Sequence, residues 1–425
     1  MFKTLRDAFK VKEIRMGLLF TFFVLIVIRF GSLIPVPGLN TVAIKEYLES
    51  ALGDANSFLS SFTGGSFTQM SIFALNVTPY ITSSIIIQLL TIAIPALEEM
   101  QKDGEDGRKK ITAITRYVTI FLAVIESLGL VIGFDRGHYM TVTGPLGYLL
   151  VIVTLTTGSA FVMWLGERVT EKGVGNGISI ILLINIVSRM PSDFSDLYTK
   201  FMKGQDVVDQ VIAGAIIVAV ILVTTVLVVL LQGGVRKIPV QHAQKVQGRR
   251  MMGGQQSHIP LKVNTSSVIP VIFASSILSV PMVVVNLFNI NTSGVWAKIL
   301  RGMNSNYWFN PAYPWANIGL IVYVLLVVFF AYFYTSVTFN PMEVANNLKK
   351  SGGFIPGIRP GKPTQDYLNK ILNYIVFIGA VGLLIVAIIP IFFNGMFGAN
   401  VSFGGTSIII IVGVVLETID QIESK

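Results

Sequence analysis

Two charged side chains sit well inside the long apolar stretches of this chain, Arg29 and Glu126, while its three histidines, His138, His242 and His258, all fall between such stretches. Ionisable groups at membrane depth are how pumps and ion-coupled carriers work. One carboxylate near the end of its stretch and one arginine do not make a relay. With every histidine in a loop, no intramembrane Ser/His pair or histidine metal site can be assembled. The chain has no cysteine, which excludes disulfides, thiolate metal sites and cysteine nucleophiles. Gly361 and Lys362 have the outline of a phosphate-binding loop, but Pro363 stands where Ser or Thr is needed and Pro356 where the first glycine is needed. No catalytic residue, metal or cofactor is expected, and the chain is not read as an enzyme.

The spacing instead offers two matched faces. Ile81, Ser84, Ile85 and Gln88 stand at i, i+3, i+4 and i+7, as do Ile272, Ser275, Ser276 and Ser279. Each face mixes bulky aliphatics with small hydroxyls. Such hydroxyls also serve plain close packing of membrane helices, and at any one position the two readings stand side by side. A pair of such faces points to a path, and an aliphatic constriction on it would seal by dewetting and steric fit without binding anything.

The elements that must position these faces are membrane spans. The chain has 425 residues, 52% of them hydrophobic and only 13% charged, with a mean hydropathy of +0.69. That composition excludes an ordinary soluble domain. A bilayer core needs roughly 20 apolar residues per helix. Ten segments meet or approach this, at 16–34, 71–95, 112–133, 145–165, 176–190, 209–231, 267–288, 317–338, 368–392 and 404–420. Of 32 lysines and arginines, 24 fall on one side of these spans and seven on the other, so both termini are expected in the cytoplasm. The basic start of the chain lacks a cleavage site after Met16–Ile34 and is read as retained. Phe2, Leu5 and Phe9 share a helical face there, which suits a short interfacial helix, with a frayed tail as the alternative.

The expected fold is therefore an all-α polytopic membrane protein whose ten transmembrane helices form two inverted five-helix halves, 1–190 and 191–425. Five is odd, so the second half enters the membrane upside down relative to the first. In each half the second span follows a long loop, 35–70 or 232–266, and is the one most interrupted by proline and polar residues. Segment 57–70 is apolar enough to enter the membrane and too short and glycine-rich to cross it; a re-entrant piece and an ordinary external loop both fit. The loops 232–266 and 338–366 are long and basic, with glycine and proline turns. Orientation explains their charge but not their length, and a solvated basic prong suits docking on RNA or an acidic protein surface.

Four stretches, NVTPYITSSIIIQLL, GERVTEKGVGNGISI (166–180), GRRMMGGQQSHIPLKVN (248–264) and SGGFIPGIRPGKPT (351–364), resemble the bacterial SecY family, the central subunits of the Sec protein translocon. The resemblance runs over essentially the whole chain. Asn76 departs from it, standing where the family more usually has glycine, and Leu182 replaces an isoleucine. The resemblance implies an hourglass channel with a waist ring of Ile81, Ile85, Ile178, Leu182, Ile272 and Ile410. It implies a plug around Phe62, Gly64, Gly65, Phe67 and Met70, and a lateral gate of spans 2, 3, 7 and 8 with Ser84, Gln88, Ser276 and Asn286 as polar gate residues. Arg249, Arg250 and Arg359 would dock the SecA ATPase or the ribosome, including its rRNA. SecE and SecG would clamp the outside, with SecE opposite the gate. YidC and SecDF complete the implied protein partners, and signal peptides, nascent chains and membrane lipids would be handled by the channel itself. The implied activity is passage of unfolded secretory polypeptides across the bacterial inner membrane and lateral release of apolar helices into lipid. The rival from another class is an ion-coupled secondary transporter of a small solute, which would require a charged or densely polar site at midplane.

Overall fold

The computed structural model describes residues 10–51, 63–203, 206–242, 246–247, 250–251, 256–266, 268–287, 294–397 and 405–424. The N-terminal face of Phe2, Leu5 and Phe9 lies outside these residues.

Each of the ten apolar segments contains a helix. In chain order, the first half holds α1 (Lys12–Gly31), α2 (Thr41–Ala51), α3 (Thr78–Ala93), α4 (Pro95–Lys102), α5 (Glu105–Arg136), α6 (Pro145–Lys172) and α7 (Gly177–Phe201). The second holds α8 (Val207–Gly233), α9 (Ile269–Leu287), α10 (Val295–Met303), α11 (Asn317–Thr338), α12 (Pro341–Lys350), α13 (Lys362–Phe397) and α14 (Gly405–Ser424). Spans 1 to 10 are thus α1, α3, α5, α6, α7, α8, α9, α11, α13 and α14. Among the described residues seven helices are long and apolar enough to cross a membrane by themselves, and α3 with α4, bent by 104° at Ile94, makes an eighth. The bend follows from Pro95, whose ring forces Ile94 into extended backbone.

The packing scheme repeats between halves. Spans 1 and 4, 1 and 5, 2 and 3, 3 and 4, and 4 and 5 touch in the first half; 6 and 9, 6 and 10, 7 and 8, 8 and 9, and 9 and 10 touch in the second. The fifth spans, α7 and α14, also pack on one another, as equivalent elements about a two-fold axis in an inverted repeat must be free to do.

Three segments differ from their sequence boundaries. Residues 71–77 are turns and not helix: Asn76 has φ +49°, a left-handed conformation that Asn tolerates better than most residues. The remaining 16-residue α3 is about 24 Å long, short of the roughly 30 Å hydrocarbon core, so the second span is completed by non-helical backbone covered by protein. The fifth span continues to Phe201 through Pro191, past the expected join at 190. Span 4 continues to Lys172, which places Arg168 in helix; there it pairs with Glu171 at 2.7 Å, while Arg116 of α5 pairs with Glu167 at 2.7 Å.

The two basic loops contain strands. β1 (Val235–His242) pairs antiparallel with β4 (Gln256–Lys262), Ile238 opposite Ile259, and β2 (Val246–Gln247) pairs with β3 (Arg250–Met251) beyond them. β5 (Gly353–Phe354) joins the other edge of β1, Gln241 opposite Phe354, so the two expected prongs share one sheet in the order β4-β1-β5. Alternation fixes its inner face: Ile238, Val240 and Leu261 are buried with Ile355 against Leu368 and Ile375 of α13.

Candidate functional site

An apolar cluster gathers residues from both halves. Val24 and Ile28 of α1, Ile180 and Ile181 of α7, and Ile410 and Val414 of α14 are buried in it, with Ile81 of α3 and Ile178 and Leu182 of α7 packed against them. Four of the six expected ring residues, Ile81, Ile178, Leu182 and Ile410, therefore meet. Ile85 and Ile272 are half-buried and lie outside that cluster. The N-terminus of α7 is set by Asn176, whose side chain accepts from the backbone N–H of Ile178 at 3.1 Å and of Ser179 at 3.4 Å. This cap satisfies the first free N–H groups of the helix that carries Ile178 and Leu182.

Beside the cluster lies the segment before span 2. Gly64 and Gly65 have φ +64° and +84°, which lets the backbone fold back tightly between α1 and α7. Phe67 and Met70 are buried with Leu130, Val131 and Phe134 of α5. Met70 is stapled by the Val36 N–H donating to its carbonyl at 2.9 Å, and the Ile72 N–H donates to the Ile34 carbonyl at 2.9 Å. Of the expected plug residues, Gly64, Gly65, Phe67 and Met70 thus lie in one compact turn, the two glycines half-buried and Phe67 and Met70 buried; Phe62 lies outside the described residues. Arg29, which sequence reasoning could assign only as an isolated charge, donates from Nη1 to the Gly64 carbonyl at 3.2 Å.

The faces of spans 2 and 7 run on from this point. Ser84 and Ser276 are half-buried, and α9 packs against α5 across the join between halves. Gln88 of α3 lies beside the hydroxyl of Tyr334 of α11, which brings the second and eighth spans together. Tyr334 was not singled out by the sequence because an aromatic in a hydrophobic span carries no distinguishing mark. The side chain of Asn286 lies outside the described residues, as do Arg249 and the side chain of Arg250. Arg359 is exposed at the tip of its turn, and among the described residues no carboxylate pairs with it. Its carbonyl accepts from Thr364 Oγ1 at 2.9 Å, which holds the turn onto the start of α13.

Among the described residues there is no group of three or more His, Asp or Glu side chains that could hold a metal ion. The junction between halves is lined by aliphatic side chains and hydroxyls. Among the described residues its packed centre is aliphatic, which suits an obstruction better than a binding site.

A multi-pass helical channel built from two inverted halves is the class these features define. The family model for SecY matches residues 71–419. The protein translocase subunit SecY of Streptomyces lividans is 42% identical over all of this chain and 98% of its own length, and that of Bacillus subtilis is 42% identical over all of this chain and 97% of its own. A solved structure described as a protein-conducting channel superposes with a TM-score of 0.62 over 97% of this chain and 93% of its own, at 19% identity. Sec61 in a canine ribosome-channel complex gives a TM-score of 0.61 over the same shares. The chain belongs to the SecY family. It is a multi-pass membrane protein and a protein-conducting channel, not an enzyme and not a small-solute transporter.

Proposed function

We propose that the channel passes unfolded polypeptide through the waist formed by Ile81, Ile178, Leu182 and Ile410, and releases apolar helices sideways between spans 2 and 3 on one side and 7 and 8 on the other. The meeting of these four aliphatics from α3, α7 and α14 carries the reading. A waist of that chemistry fits around a chain of any sequence, because dispersion and dewetting do not read side chains. Segment 57–70 is the plug, closing the external side until a client displaces it. The termini and the β-sheet face the cytoplasm of a bacterial inner-membrane protein, in keeping with the lysine and arginine bias.

Energy comes from SecA or the ribosome, since the sequence carries no phosphate-binding loop; SecE and SecG complete the assembly. Arg359, with Arg249 and Arg250, is the docking cation set. The sheet anchored on α13 would transmit a push on the docking loops to span 9. Charge reversal at Arg359 should slow SecA-driven transport of a secretory precursor into reconstituted vesicles roughly tenfold, about 1.4 kcal/mol of lost charge complementarity. The variant should keep the parent's detergent elution profile. An unaltered transport rate would remove Arg359 from the docking surface.

At the gate, the neighbouring Gln88 and Tyr334 would form a polar tie between the halves when it is shut. Tyr334→Phe deletes only the hydroxyl, and hydrogen bonds between membrane helices average about 0.6 kcal/mol. Integration of a test segment of marginal hydrophobicity should then rise roughly threefold. Glycosylation-site mapping of such segments measures it, and no change would mean that the tie does not hold the gate.

A further inference from the structure

We infer that Arg29 and Asn76 form a two-point latch on the main chain of the plug and set how readily it leaves; this rests on the reading of 57–70 as the plug. Arg29 Nη1 donates to the carbonyl of Gly64 at 3.2 Å, and Asn76 Nδ2 donates to the carbonyl of Thr63 at 3.4 Å. The two donors reach consecutive carbonyls, one from α1 and one from the turn that leads into α3.

Both donors are held in place. Asn76 is fully buried, its Oδ1 accepts from the Val77 N–H at 2.9 Å, and its own carbonyl accepts from Ser159 Oγ of α6 at 2.9 Å. Its φ of +49° would suit glycine equally well, but glycine would bring no donor. Arg29 is half-buried with no carboxylate paired to it among the described residues, so a carbonyl dipole of the plug is the acceptor its charge has. Gly64 is fitted to this contact: a Cβ there would come within 2.8 Å of Arg29 Nη1 and 3.0 Å of Asn185 Cα.

Because both bonds are to backbone, the latch would not depend on the plug's side chains. It depends on the turn geometry at Thr63 and Gly64. The charged donor should be the stronger of the two, as hydrogen bonds to ionised groups are. When the plug leaves, Arg29 must be met by water, and this ties plug release to wetting of the channel.

Ser66 offers a probe. It is buried, its Oγ has no hydrogen-bond partner among the described residues, and the chain is free of cysteine, so Ser66→Cys introduces one near-isosteric thiol without breaking a bond seen there. In the full chain, reconstituted with its partner subunits in vesicles, the rate of labelling by a membrane-impermeant maleimide reports plug release. Asn76→Gly should raise that rate about fivefold, one neutral hydrogen bond, and Arg29→Gln about tenfold, one charge-assisted bond. Arg29→Lys, which keeps a charged donor, should restore part of the difference. Asn76→Gly retains the backbone conformation, so it decides the matter even if Arg29→Gln fails to accumulate. Unchanged labelling in Asn76→Gly overturns the latch. Deleting 62–70 separates the two ideas: a rise in ion leak on deletion together with unchanged labelling leaves the plug standing and removes the latch, whereas no rise on deletion removes the plug itself.

Discussion

Gly158→Val is expected to leave almost no full-length protein recoverable from membranes. Gly158 is buried on α6 where the turn 71–77 crosses it, and a Cβ at this position would run into the carbonyl oxygen of Ile72, with Phe73 Cδ1 at 3.4 Å behind it. The turn cannot move aside, because Ile72 is bonded to Ile34 and Ser71 bridges Pro35 in the strand-like segment after α1. The next residue, Ser159, needs the same close approach to donate to Asn76 at 2.9 Å. Overpacking a filled interior by even one or two methyl groups costs roughly 1–3 kcal/mol, and a backbone collision that cannot relax costs more. Gly233, at the end of α8, has open space around its Cβ position, and Gly233→Ala should accumulate like the parent. Accumulation and thermal unfolding of the two variants, followed by fluorescence-detected size exclusion, check this. Parent-like behaviour of Gly158→Val would mean that the turn is not packed on α6.

This contact also shows where the sequence was readable and where it was not. Hydropathy located all ten spans, because a run of apolar residues is a property of the segment alone. It could not find that 71–77 is unwound, since Ser71 to Val77 is as apolar as the helix that follows; the signals were Pro79 and the left-handed Asn76, and only packing against α6 stabilises the turn. The aliphatic faces were legible from spacing, yet which of their residues converge depends on how α7 and α14 pack. The prongs read as glycine- and proline-punctuated loops because Pro239, opposite His258, and Pro260, opposite Lys237, break the usual strand signature. Their union into one sheet through β5 joins residues more than a hundred positions apart, and such pairing leaves no local mark. Arg29 was visible as an anomaly. Its acceptor, a main-chain carbonyl of a glycine, could come only from the fold.

The largest functional effect is expected at the waist. Ile81→Ala with Ile178→Ala removes the aliphatic ends of two residues from different helices of the shared cluster. Each loses three carbons, about 2.4 kcal/mol of apolar contribution to keeping water out, at about 0.8 kcal/mol per methylene. Neighbouring side chains will close part of the gap, so a rise in ion flux of at least about tenfold in reconstituted vesicles is the expected result. Ile85→Ala with Ile272→Ala removes the same number of carbons from the same two faces that the spacing picks out, but outside the cluster. That pair should leak less. The comparison separates two arrangements of the seal: equal leaks would mean that the barrier extends along the whole aliphatic face of spans 2 and 7, and leaks unchanged in both pairs would mean that the plug alone closes the channel. A larger leak in the first pair locates the barrier where α3, α7 and α14 converge, next to the carbonyls that Arg29 and Asn76 hold. Seal and plug would then be neighbours in one structure, so a polypeptide that spreads α3 from α7 would loosen both together.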